Sequence, residues 1–383
     1  MKVFEGAFYK NTLLPASLLA ATIIGAGVFS LPYVVNKAGW AVGLGYLLCS
    51  PFIFYFLHAM YADILLRSAD DFKFVGFAKY YLGNLAFWLS ILATILGSIL
   101  TLTVYLILAE SFIAIIFPAI PTLGYHMSWF WAVSSALIFI NIKRMAKMEF
   151  LITAAMAVLI FLIFIFGLAK GLNKLAELPA TNWSYLFLPF GPALFSFSGR
   201  TAIPALIDYY KKNNVPLNNL KKVIFWGTAA PAAVYLMFVV GIIGIAKVIT
   251  EDSVVSIASL SYGAAAIIGL VGFLSLLSSY AVVGLSVRDI LRDDIKFNHI
   301  LANLIVIAAP ILLIYAGFDN FIKVITLAGG IFLALEGMIV VAMWKKAETW
   351  GIKNFLFQNK LPSIISYAML AVFFLGALYA AGF

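Results

Sequence analysis

The stretch from Ala21 to Pro32, ATIIGAGVFSLP, constrains the fold more than any other part of the chain. It lies inside an apolar run from about Leu13 to Val35, long enough to cross a bilayer, yet it places Gly25, Gly27 and Pro32 where a membrane helix should be continuous. The pattern predicts a broken helix. Lipid offers no partner to the N–H and C=O groups that a break releases, so breaks persist where protein or a wet cavity satisfies them, and they point to binding sites. A proline kink or a glycine contact between helices is the alternative reading.

A second copy weighs for the binding site. Phe195 to Pro204 reads FSFSGRTAIP, and Gly199 precedes Pro204 by the same five residues that separate Gly27 from Pro32. Paired interruptions in corresponding positions of two halves are a sequence pointer to a transporter site.

Composition sets the class. Of 383 residues, 64% are hydrophobic and 11% charged, and the mean hydropathy is +1.07, which excludes a soluble globular domain and indicates an all-α polytopic membrane protein. The net charge of +9 falls in short loops, so it reports topology rather than a nucleic-acid partner. Cys49 is alone, and His58, His126 and His299 lie far apart, so neither a disulfide nor a metal motif is read and no cofactor is expected beyond a coupling ion. The apolar run after Lys2 and Lys10 is too long for the core of a cleaved signal peptide and is read as a retained span.

Spans are placed at about 12–36, 41–66, 86–117, 128–142, 149–171, 186–210, 222–247, 263–288, 299–316, 321–344 and 362–382, eleven in all. Lys and Arg fall 19 on one side and 5 on the other, with Arg200 inside a span. The richer side is expected to be cytoplasmic, which puts the N-terminus inside and the C-terminus outside a cell membrane. Spans one to five (about 10–171) and six to ten (about 185–345) then form two halves of opposite orientation, each opening with its broken helix, and 362–382 is appended. One transporter domain, 1–383, is expected, embedded in lipid as a monomer. In the loop Arg67–Gly83, Phe74, Phe77, Ala78 and Tyr81 share one helical face, as in a helix lying on the membrane surface. Glu251–Tyr262 is read as a lid over the entrance or a solvated loop.

With GAGVFSLPY in span one and LFSFSGRTAIP in span six, the chain resembles the amino acid/auxin permease family and the related bacterial permeases for aromatic and hydroxy amino acids, within the amino acid–polyamine–cation superfamily. The resemblance covers spans one to ten. It implies a LeuT-like 5+5 inverted repeat, with broken helices one and six lending backbone to an amino acid.

The chemistry of a zwitterion agrees. The half-helix beginning near Gly27 offers unpaired N–H groups and a positive dipole end for the carboxylate, and Gly25, Ala26 and Gly27 leave room for it. Bulk at Gly27 is expected to abolish binding and spare the fold. Carbonyls around Phe195, Ser196 and Phe197 suit the ammonium, and Phe195 and Phe197 either line the side-chain pocket or face lipid. Arg200 would cost about 2.5–3.5 kcal/mol unpaired at membrane centre, so it is expected to face the cavity or pair with Glu110 or Glu336, which are also the candidate proton carriers. A purely structural Arg–Glu pair is the alternative.

Ser275, Ser278 and Ser279 share one face of span eight, where the resemblance implies hydroxyl ligands of a sodium ion completed by the carbonyls of Ala21 and Ile24. Helix packing is the other reading of those serines. The resemblance equally admits proton coupling, because the bacterial aromatic permeases use protons and carry histidine where Arg200 stands. Cation-coupled symport of an amino acid is therefore expected, with sodium ahead of protons. A channel would need a continuous polar lining, and an enzyme a nucleophile–base pair or metal cluster, and the sequence offers neither.

Overall fold

The computed structural model of the chain describes residues 6, 8–68, 72–118, 125–138, 145–258, 260–350, 356–357 and 363–382. Lys2, Lys143, Arg144, Lys353 and Lys360 of the charge count lie outside these. Every regular element among the described residues is helical.

The first half comprises α1 (Leu14–Ile23), α2 (Leu31–Ala38), α3 (Trp40–Arg67), α4 (Phe74–Leu82), α5 (Asn84–Ile116), α6 (Tyr125–Ile138) and α7 (Met145–Glu177). The second comprises α8 (Phe190–Phe197), α9 (Ile203–Lys212), α10 (Leu220–Ile245), α11 (Val254–Ile257), α12 (Tyr262–Asp293), α13 (His299–Tyr315), α14 (Phe321–Leu327) and α15 (Ala334–Thr349), followed by α16 (Ser363–Ala381). Among the described residues, seven helical stretches are long and apolar enough to cross a membrane unaided, and Tyr9–Ile23 with Ala26–Ala38 forms an eighth, bent by 52°. The chain is an integral membrane protein. The shorter helices α6 and α13 and the α8–α9 pair occupy the remaining places that the sequence reading gave to spans.

Both breaks form as the glycine–proline spacing predicts, and by the same local rule. At the first, Ile24 turns extended (ψ 97°) and Gly25 follows at φ −146°, ψ −157°, before a 3₁₀ turn over Ala26–Ser30. At the second, α8 ends at Phe197, Ser198 is extended and a 3₁₀ turn covers Arg200–Ala202. Pro32 and Pro204 then sit in the first turns of α2 and α9, where a missing N–H has no helical partner to lose.

Close glycine packing joins the two halves. Gly27 lies so near Ser196 that a Cβ there would stand 2.5 Å from Ser196 Oγ and 2.6 Å from its Cα. Without a hydrophobic drive between helices in lipid, such small-residue contacts supply van der Waals packing. In the tenth span a π-turn over Ala328–Leu333 sits between α14 and α15, and Glu336 follows in the first turn of α15.

Two loops are more ordered than their sequences suggested. Between Arg67 and Gly83 the expected helix is present as α4, but Phe74, Phe77, Ala78 and Tyr81 are buried against α5 and α15 rather than turned to lipid. The Glu251–Tyr262 segment folds back onto the bundle. Val254 and Ile257 are buried, Asp252 bonds Ser111 Oγ at the end of α5, Glu251 accepts from Asn320 Nδ2 at 2.9 Å, and Tyr262 donates to the Ile116 carbonyl at 3.0 Å.

Candidate functional site

A cavity of about 730 Å³ reaches both breaks and opens at the face where Lys73, Asp208, Lys211, Asp289 and Asp294 lie. At the opposite face sit the Glu251–Tyr262 segment and a second closure, in which the N–H groups of Trp40 and Ala41 donate to the carbonyls of Pro179 and Ala180. The cavity thus runs from the two breaks to the face that carries these charged residues.

Around the first break, Ala21, Ile24, Gly25, Ala26 and Gly27 all line the cavity. Gly25 and Gly27 differ in what they face. A Cβ on Gly25 would meet nothing nearer than the Ile23 carbonyl at 3.9 Å, whereas one on Gly27 would collide with Ser196. The expectation that bulk at Gly27 spares the fold is corrected on this ground: its missing side chain accommodates a neighbouring helix, and Gly25 is the position with open space.

Around the second break the three expected residues separate. Phe195 lines the cavity. Phe197 is fully buried against the rings of Phe54 and Tyr235, at 6.3 and 5.1 Å between centroids, so it faces neither substrate nor lipid. Ser196 is also withdrawn. Its hydroxyl donates to the Pro192 carbonyl at 2.7 Å, and its own carbonyl accepts from the Tyr235 hydroxyl at 2.7 Å.

Arg200 meets both conditions set for it, the cavity and a carboxylate. The guanidinium donates from Nε (2.9 Å) and Nη2 (2.8 Å) to one oxygen of Glu336, and Thr94 Oγ1 donates to the other at 2.7 Å. The Phe74 ring centroid lies 3.9 Å from the guanidinium carbon, so one face of the cation is covered by an aromatic surface. Arg200, Glu336, Thr94 and Phe74 line the cavity together. Of the two carboxylates proposed as partners, Glu336 is the one used, while Glu110 lies beside Ser111 near the far end of α5 and is not part of the lining.

Ser279 lines the cavity with Ala21 and Ile24, but Ser275 and Ser278 do not. Ser278 is buried, and its hydroxyl has no hydrogen-bond partner in the structure. Helix α1 packs chiefly on α10, and α12 chiefly on α5.

Sequence reasoning missed a stripe on α5. Thr94, Ser98, Thr101 and Tyr105 all line the cavity, and their spacing of i, i+4, i+7, i+11 puts them on one helical face. That spacing was visible in the sequence but was masked by the apolar residues around it. Tyr235 and His58 were missed too, for a different reason, because their partners lie far away in the chain.

The fold defines a class, the LeuT-fold transporters, and the cavity of this one reaches two broken helices. MhsT, solved in complex with L-phenylalanine, superposes with a TM-score of 0.66 at 19% identity, covering 94% of this chain and 98% of that one. The manganese transporter of Eremococcus coleocola, solved with an aromatic bis-isothiourea compound, gives 0.63 at 13% identity, covering 98% and 88%. Residues 9–374 match the tryptophan/tyrosine permease family, and the chain belongs to that family of amino acid permeases. Among curated relatives, glutamine transporter 2 of Aliivibrio fischeri is 23% identical over 364 residues, which cover 87% of this chain and 89% of that protein.

Proposed function

We propose that the protein is a secondary active transporter that carries a neutral amino acid into the cell by cation-coupled symport and alternating access. The observation that carries this reading is the cavity, which reaches both helix breaks and extends to charged residues at one face, Lys73, Asp208 and Lys211 among them, as suits a site exposed to alternate sides. The substrate carboxylate is held by the N–H groups following Gly25, and its ammonium by carbonyls of Ile24 and Phe195. The side chain lies between Phe195 and the hydroxyls of α5. The substrates named for the relatives, phenylalanine for MhsT and glutamine for the Aliivibrio protein, are both neutral zwitterions, and neither selects between an aromatic and an amide side chain here.

The lysine-rich face is cytoplasmic on this reading, so the structure is inward-open, with its N-terminus inside and its C-terminus outside the cell membrane. The protein works as a monomer in lipid. Sodium is the coupling ion, held by Ser278 and Ser279 with the carbonyls of Ala21 and Ile24. An unpartnered buried hydroxyl on Ser278 supports it, as does the lining position of Ser279, Ala21 and Ile24. One cation entering with each zwitterion gains about 2.3 kcal/mol per 100 mV, roughly 50-fold accumulation. Proton coupling is the second reading, favoured by a carboxylate, Glu336, within the cavity.

Uptake into proteoliposomes tests the two. Sodium coupling predicts that Ser278→Ala with Ser279→Ala raises the sodium concentration for half-maximal uptake. Uptake without sodium, driven by an inward proton gradient and unaffected by those changes, rejects sodium and moves coupling to Glu336.

A further inference from the structure

A helix broken inside a membrane leaves backbone groups that must find partners, each costing several kcal/mol if it does not. Two buried side chains supply such partners here. At the first break the Ile23 carbonyl accepts from the Tyr235 hydroxyl at 2.6 Å. At the second, Tyr235 also donates to the Ser196 carbonyl at 2.7 Å, and the Gly199 N–H donates to His58 Nε2 at 3.2 Å. His58 and Tyr235 are both fully buried, and neither lines the cavity.

The chemistry of each side chain fixes how it acts. One phenolic hydroxyl has one proton, so Tyr235 shares it between the carbonyls of Ile23 and Ser196 and ties the two breaks through a single atom. His58 must present a lone pair at Nε2 to accept from Gly199, so its proton is on Nδ1, where it reaches Thr228 Oγ1 at 3.2 Å. Thr228 and Tyr235 are two turns apart on α10, so this helix underlies both braces. Gly199 also packs on α1, since a Cβ there would come within 2.6 Å of Ile23 Cγ1. The residue after Gly199 is Arg200, so the His58 bond holds the backbone next to the guanidinium-bearing residue.

The arrangement follows the inverted repeat. Helix α3 belongs to the first half and reaches the break of the second, while α10 belongs to the second half and reaches the break of the first. We propose that His58 and Tyr235 are positioning residues for transport, each bracing from one half of the repeat the broken helix that opens the other. The braced groups flank the backbone that contacts substrate, so loss of a brace misplaces the binding groups without removing any of them. This rests on the proposed amino acid transport.

The test is uptake of each of the twenty labelled amino acids into proteoliposomes by the wild type and by Tyr235→Phe, His58→Leu and His58→Gln. Tyr235→Phe keeps the ring against Phe197 and loses only the hydroxyl. It is expected to raise the half-saturation concentration about tenfold, the loss of the one buried donor that the carbonyls of Ile23 and Ser196 share, at unchanged recovery of folded protein. His58→Leu is expected to do the same, and His58→Gln to be closer to wild type, because an amide can accept from Gly199 and donate to Thr228. Should Tyr235→Phe not fold, the His58 pair carries the comparison. Half-saturation equal to wild type in Tyr235→Phe and His58→Leu, whether or not their unfolding temperatures fall, overturns the proposal. A wild type that moves none of the twenty overturns the transport reading instead.

Discussion

Arg200 and Glu336 are the charged pair at the centre of the site, with side chains 10% and 7% exposed. Truncating one member leaves the other buried without its counter-charge, which costs about 3–5 kcal/mol, whereas replacing both by apolar groups of similar volume is often neutral. Arg200→Ala or Glu336→Ala is therefore expected to lower the yield of folded protein. The double change Arg200→Met with Glu336→Leu should restore folding, as read by thermal unfolding, yet not transport. Full uptake by that double variant would show that the pair only holds helices together. The two glycines of the first break offer a sharper contrast. Gly25→Val enters open space and should abolish uptake with the fold intact, while Gly27→Ala meets Ser196 and should destabilise by about 1–3 kcal/mol. Equal loss of unfolding temperature in both would contradict the assignment. The Arg200 pairing was legible in the sequence because an unpaired charge at membrane depth is expensive. The distinction between Gly25 and Gly27 was not, since it depends on which one a distant helix approaches.

The broken helices were the most legible elements. A glycine that interrupts an apolar run and a proline five residues on fix the end of one helix and the first turn of the next, with little help from tertiary contacts. Helix α4 was legible as a helix but not in its environment. Its apolar face has the periodicity of a membrane-surface helix, and periodicity does not say whether lipid or protein covers that face. Here α5 and α15 cover it, and Phe74 is thereby brought over Arg200. Helix α5 contributes the hydroxyl stripe. Thr101 Oγ1 donates back to the Gly97 carbonyl at 2.8 Å, and Thr101 and Ser98 both line the cavity. If these hydroxyls meet the substrate side chain, Ser98→Ala with Thr101→Val should shift competition among the twenty amino acids toward apolar ones by up to about tenfold. An unchanged order of competitors would place the side chain elsewhere.

At the scale of the whole molecule, two halves of opposite orientation set their breaks side by side and enclose one cavity. The sequence conveyed this through the parity of the spans and the placing of its two G-x-x-x-x-P stretches. Which end of the cavity stands open was beyond its reach, because that depends on how segments such as Glu251–Tyr262 pack on remote helices. The closing contacts of Asp252 with Ser111 and of Glu251 with Asn320 belong to this conformation. On the proposed orientation, Asp252→Ala should weaken that closure and increase reaction of a cysteine at Ser98, in a Cys49→Ser background, with an impermeant thiol reagent added outside. No increase would mean that closure of this face does not depend on Asp252.

The most direct test of the central claim is counterflow. Proteoliposomes loaded with an unlabelled amino acid and diluted into a trace of the same labelled compound should accumulate label transiently, for at least one of the twenty, and Gly25→Val should abolish the overshoot. Label that merely equilibrates, without overshoot for any amino acid, would contradict a carrier with a saturable site at the two breaks.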